Sequence, residues 1–151
     1  MKKVNFLPRL LAARVSETLK RFPVVVLIGA RQTGKSTLAV FPPIGTDRVY
    51  LSMDHFETLD TAKNRPDELL QKGDQLTLDE VQRTPDLLLA IKRAVDHDRR
   101  RGRFLLTGSA NLLMMRRVSE SLTGRAVYLN LWPMTESEKK GLPDAGPQDA
   151  G

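Results

Sequence analysis

Leu7, Leu10, Leu11, Val15, Leu19 and Phe22 recur at helical spacing among basic and polar neighbours, which predicts an amphipathic helix at the start of the chain. The pattern then changes. "FPVVVLIG" (22–29) is β-branched and apolar without a break, as in a strand buried on both faces. A helix is expected from about residue 35 to 40, stopped by Pro42 and Pro43. "RVYLSM" (48–53) predicts a second strand, and "ETLDTAKN" and "PDELLQKG" two short helices, the latter with Pro66 in its first turn and Gly73 just past its end. "QLTLDE" (75–80) predicts a strand that ends in two carboxylates. "TPDLLLAIKRAVDHDRR" predicts a helix with Thr84 as N-cap, Pro85 at N1, and Leu87, Leu88, Ile91, Ala94 and Val95 on one face. "RFLLTGS" (103–109) and "RAVYLNLW" (125–132) predict two more strands, with a short helix near 110–118 between them.

Strands that alternate with helices predict an α/β fold around a parallel sheet. No internal repeat is visible. The last stretch, "ESEKKGLPDAGPQDAG", is polar and rich in Gly and Pro, so a single domain is expected over 1–135, with a flexible tail or a truncated linker over 136–151. The 40% apolar and 28% charged content is that of a globular chain rather than a disordered one. Cysteine is absent, which excludes disulfides and thiolate metal sites, and His55 and His97 are too few for a histidine-built one. Val24 to Ile28 is far too short to cross a membrane, and Pro8, Arg9 and Arg14 interrupt any signal-peptide pattern, so a cytoplasmic protein is expected.

The net charge of +6 is concentrated in "KRAVDHDRRRGR" (92–103) and at Arg116 and Arg117. A solvated helix end favoured by the helix dipole accounts for it, and so does a patch for a nucleic-acid backbone. Only 5% of the residues are aromatic, which argues against stacking on single strands.

The chemistry begins directly after the first strand. "GARQTGKST" fits the pattern G-x-x-x-x-G-K-[ST] as Gly29, Ala30, Arg31, Gln32, Thr33, Gly34, Lys35 and Ser36, followed by Thr37. Phosphates need backbone N–H groups pointing inward from a tight loop, and the glycines supply room and backbone freedom. The helix that follows aims its positive end at the anion. Lys35 can reach the β- and γ-phosphates, and the Ser36 hydroxyl can ligate Mg²⁺.

Asp79 and Glu80 close a buried strand. Asp79 is placed to hold the Mg²⁺ shell and Glu80 to activate water, although acids ahead of a helix can also be simple caps. Ser109, after "LLTG", is a candidate γ-phosphate sensor or a helix N-cap. Arg125 is a candidate arginine finger, in cis or from a neighbouring copy, or a solvated residue opening a strand.

The order of these motifs resembles the AAA+-like P-loop ATPases of the AAA_14 type. "GARQTGKST", "YLSMDHFE", "RPDELL", "LDEVQRTPDLLLAIKRAVD", "FLLTGSANLLM" and "ESLTGRAVYLNLWPMTESE" carry the likeness over roughly residues 5–138. The resemblance implies a three-layer P-loop NTPase fold with an ASCE-type sheet in the order 5-1-4-3-2, and ATP with Mg²⁺. It implies binding by Lys35 and Ser36, metal coordination by Ser36 and Asp79, water activation by Glu80, sensing by Ser109 and a finger at Arg125. Such proteins usually continue into a DUF4143 domain, so the C-terminal half and its lid are expected to be missing here. Three readings of function follow: an ATPase coupled to a conformational change, acting as a homo-oligomer with the finger in trans; a nucleotide-gated binding module or remnant with little turnover; and a nucleic-acid-associated machine.

Overall fold

β1 (Val24–Gly29) is the spine of the molecule, and every one of its residues is buried. The computed structural model describes residues 2–29, 38, 39, 44, 47–114 and 120–131. Val24, Val26 and Ile28 point into one core and Val25 and Leu27 into another, which is why the run is apolar without alternation. β4 (Phe104–Gly108) flanks β1 on one side, with Val24 opposite Phe104. β5 (Ala126–Leu131) flanks it on the other, with Val24 opposite Ala126. β3 (Leu76–Asp79) pairs with β4, and β2 (Val49–Ser52) forms an edge beyond β3. All pairings are parallel, in the order β2-β3-β4-β1-β5, which is the expected 5-1-4-3-2 order read from the other edge.

Helices cover both faces. α1 (Lys2–Leu19) lays Ala12, Val15 and Leu19 on the core that holds Val25, Leu27, Leu105 and Leu129. α2 (Phe56–Asn64), α3 (Pro66–Leu70) and α4 (Leu87–His97) close the other face over Val26, Leu78 and Leu106. Each fully buried Leu or Val contributes roughly 1.5–3 kcal/mol relative to exposure.

Two local expectations are corrected. Leu10 and Phe22 do not belong to the buried stripe of α1: they are 53% and 40% exposed, and the stripe runs through Ala12 instead. The chain leaves α1 before Phe22 and turns towards β1, so the helical phase no longer governs that residue. Thr84 does not cap α4. It closes a short 3₁₀ turn (Val81–Arg83), and α4 starts at Leu87 after Asp86, which makes no side-chain capping bond.

The end of the sheet where the strands begin is held by arginines. Arg48 donates to the Thr77 hydroxyl at 3.0 Å, the Gly102 carbonyl at 2.6 Å and the Leu76 carbonyl at 2.7 Å. Burial pushes its guanidinium down to about 10, still charged at neutral pH. Arg103 donates to the carbonyls of Ala94 and Asp98 at the end of α4, and Arg99 to that of Gly124. Arg100 bonds Asp98 and the Asp74 carbonyl. Arg99, Arg100 and Arg103 of the 92–103 run thus each bond a main-chain carbonyl at this end of the sheet. No helix among the described residues is long and apolar enough to cross a membrane.

Candidate functional site at the carboxyl ends of the strands

In a parallel sheet all carboxyl ends lie on one side, where α/β proteins bind their ligands. Here β4 lies between β1 and β3. Strand spacing then puts the ends of β1 and β3 about 10 Å apart. Gly29 closes β1. The loop residues Ala30, Arg31, Gln32, Thr33, Gly34, Lys35, Ser36 and Thr37 lie outside the described residues, while Leu38 and Ala39 beyond them are helical and buried.

Asp79, the last residue of β3, is only 3% exposed and gathers hydroxyls from both neighbouring strands. From β2, Tyr50 Oη donates to Oδ2 at 2.7 Å and Ser52 Oγ to the same oxygen at 3.3 Å. From β4, Thr107 Oγ1 donates to Oδ1. Register explains the convergence: Ser52 stands opposite Asp79, and Tyr50 precedes Ser52 by one pleat on the same face. A carboxylate among hydroxyls, with no thiolate or imidazole, is the hard oxygen environment that Mg²⁺ takes. No group of three or more acids or histidines gathers among the described residues.

Glu80 leaves the strand abruptly. Its backbone is left-handed, with φ 61° and ψ 47°, a conformation that costs on the order of 1–3 kcal/mol for a non-glycine residue. Its N–H donates to Thr107 Oγ1 at 3.0 Å, and its carbonyl accepts from the Arg83 N–H at 3.2 Å. The Glu80 carboxylate accepts from Gln82 Nε2 at 2.6 Å. One hydroxyl, Thr107, therefore joins both acids: it donates to the side chain of Asp79 and accepts from the backbone of Glu80.

Ser109 follows β4 and enters the network through its backbone, donating N–H to Gln82 Oε1 at 3.3 Å. Arg125 is not brought to the site. It precedes β5, at the opposite end of the sheet from Gly29, and β1 is six residues long. That places it about 20 Å away. Arg125 therefore lies away from the acids of its own chain. Nε and Nη2 of Arg125 grip the two oxygens of Asp96 at 2.7 and 2.9 Å, which holds the Asp96 carboxyl below the usual aspartate range. An open groove of about 580 Å³ on the α4 side, lined by Asp86, Leu89, Lys92, Glu120 and Ser121, includes neither acid.

Tyr50, Ser52 and Gln82 escaped the sequence reading. The period of two in "RVYLSM" puts Tyr50 and Ser52 on one face, but nothing local says which strand that face meets.

A parallel sheet of this order, with a phosphate-loop sequence leaving β1 and an acid pair across β4, defines a P-loop NTPase of the AAA+ kind. The chain belongs to the AAA_14 family of AAA domains, whose family model matches residues 21–139. It is similar to an uncharacterized protein of Mycobacterium tuberculosis and to its counterpart in Mycobacterium bovis, each 36% identical over 126 residues. That match covers 82% of this chain, which spans only 28% of the length of those curated relatives. Among solved structures, the fold is similar to AMPPCP-bound DnaA from Aquifex aeolicus, with a TM-score of 0.56 and 20% identity over 87% of this chain and 48% of that one. It is also similar to the Walker-type ATPase paby2304 of Pyrococcus abyssi, with a TM-score of 0.52 and 12% identity over 91% of this chain and 59% of that one. Fold and family are those of nucleotide-binding ATPases.

Proposed function

We propose that the chain binds ATP at "GARQTGKST" and hydrolyses it in a Mg²⁺-dependent reaction that drives a conformational change. The observation that carries this reading is the Thr107-centred network, which joins Asp79 and Glu80 at the carboxyl end of the sheet, across β4 from Gly29. Gly29, Gly34 and their neighbours would cradle the phosphates, and Lys35 would bind the β- and γ-phosphates. Ser36 and Asp79 would hold Mg²⁺, which supplies charge neutralisation on the phosphates when bound. Glu80 would orient a water molecule and accept its proton, and Ser109 would report on the γ-phosphate end of the site. Preference for ATP over other nucleotides rests on the family.

The position of Arg125 favours an assembly. Arg125 lies away from the acids of its own chain, so a homo-oligomer in which Arg125 serves the neighbouring site would be the faster enzyme, and the isolated chain a slow one. A nucleic-acid role gains no support from the arginines at 99, 100 and 103, which are engaged within the fold.

The test is phosphate release from ATP with and without Mg²⁺, run beside calorimetric nucleotide binding. The wild-type chain is expected to bind and to turn over only with Mg²⁺, and Glu80→Gln to bind but to turn over at a small residual rate. Equal turnover by Glu80→Gln would remove Glu80 from its role. Absence of nucleotide binding would sink the whole reading.

A further inference from the structure

Gln82 lies in the 3₁₀ turn between β3 and α4, and its amide faces two ways. Nε2 donates to Glu80 Oε2 at 2.6 Å, while Oε1 accepts the Ser109 N–H at 3.3 Å. These partners fix the orientation of the amide. A flip would set NH₂ against an N–H and an oxygen against a carboxylate, so both contacts would become repulsive.

The surroundings are shaped to admit this amide. A Cβ at Gly108 would lie 3.2 Å from Gln82 Oε1 and 2.8 Å from Leu112 Cδ2, so the bare backbone of Gly108 lets the side chain lie against the end of β4. Val81, wholly buried, anchors the turn from beneath. Glu80 itself starts the turn in its left-handed conformation. The Glu80 carboxylate is thus linked to the end of the neighbouring strand through the amide of Gln82.

We infer that Gln82 is a positioning residue for Glu80: it holds the carboxylate in the orientation that meets the attacking water and makes that orientation depend on the backbone at Ser109. The inference rests on Glu80 as the water-activating group. Gln82 touches neither nucleotide nor water in this role and acts through Glu80 alone. Its loss therefore lowers the rate of the chemical step and leaves nucleotide affinity in place.

The experiment is steady-state ATP hydrolysis with Mg²⁺ by the full chain, comparing wild type, Gln82→Met, Glu80→Gln and the double variant, with ATP binding measured calorimetrically. Methionine keeps the length of the side chain and removes both hydrogen bonds. Gln82→Met is expected to lower kcat by about tenfold to a hundredfold, the scale on which a misplaced group costs rate, with KM and ATP affinity within about twofold of wild type. In the Glu80→Gln background it is expected to change nothing further, because both substitutions remove one function. Should methionine unfold the turn, Gln82→Glu, equal in length and unable to donate when ionised, is expected to give the same split. An unchanged or raised kcat overturns the inference, as does a parallel loss of nucleotide affinity or a full Gln82 effect that persists without Glu80. A wild-type chain that binds ATP and does not hydrolyse it overturns the ATPase reading itself. Hydrolysis that needs Glu80 and ignores Gln82 overturns only this inference.

Discussion

Thr107 and Asp79 are joined by a hydrogen bond from hydroxyl to carboxylate within the buried sheet, and Thr107 is wholly inaccessible to solvent. The same oxygen accepts the N–H of Glu80. Thr107→Val keeps the shape and removes the hydroxyl that bonds both Asp79 and the Glu80 N–H. It is expected to destabilise the fold by about 1–3 kcal/mol, the cost of stranding a buried polar group. A drop in the urea midpoint at unchanged slope checks this, and an unchanged midpoint would show that the hydroxyl carries no structural weight.

Lys35→Ala is expected to abolish nucleotide binding in a calorimetric titration. On the proposed reading Lys35 would supply the positive charge that binds the β- and γ-phosphates. Tight ATP binding by the variant would remove the phosphate loop from its assigned role.

Arg125 tests the assembly. Arg125→Ala and Glu80→Gln chains are each expected to be nearly inactive. Mixed, they should recover part of the wild-type rate, because some sites then combine an unaltered Glu80 with the Arg125 of a neighbour. Mixed oligomers without recovered turnover would contradict a finger in trans.

Asp96 carries a pH signature. Its carboxyl is held low chiefly by the hydrogen bond from Arg125, which outweighs the opposing effect of burial, and the charges of Arg125, Lys92 and Arg99 add to it. A depressed folded-state value means that the pair stabilises the fold above the ordinary aspartate range, and that this contribution is lost as pH falls through the lower folded value. The stability of wild type and Asp96→Asn should therefore differ by a constant amount at neutral and mildly acidic pH, and the curves should converge below about pH 4. Curves that keep their separation into stronger acid would rule out the pair as its source.

Much of this molecule is legible without coordinates. The unbroken apolar run of β1, the helix–strand alternation and the acids that end "LTLDE" are set by short-range periodicity and by the need to bury one or both faces of each element. The phosphate loop is equally local, since its glycines, lysine and hydroxyls are consecutive. What the sequence by itself determined is thus the identity and order of the parts, and that Asp79 and Glu80 stand at a strand end. The tertiary structure decided their partners. Tyr50 meets Asp79 across 29 positions of sequence and Thr107 meets it across 28, through strand order and register that no local pattern encodes. Thr107 and Ser109 look alike as hydroxyls in "LLTGS", yet only Thr107 lies within β4 beside the acids, while Ser109 is one step past the strand. Arg125 reads as a finger in the sequence, and the parallel pairing of β5 with β1 carries it to the far end of the sheet. The reason is physical: backbone sterics and side-chain period act over a few residues, whereas the site is assembled by hydrogen-bonded register between strands that the chain visits far apart.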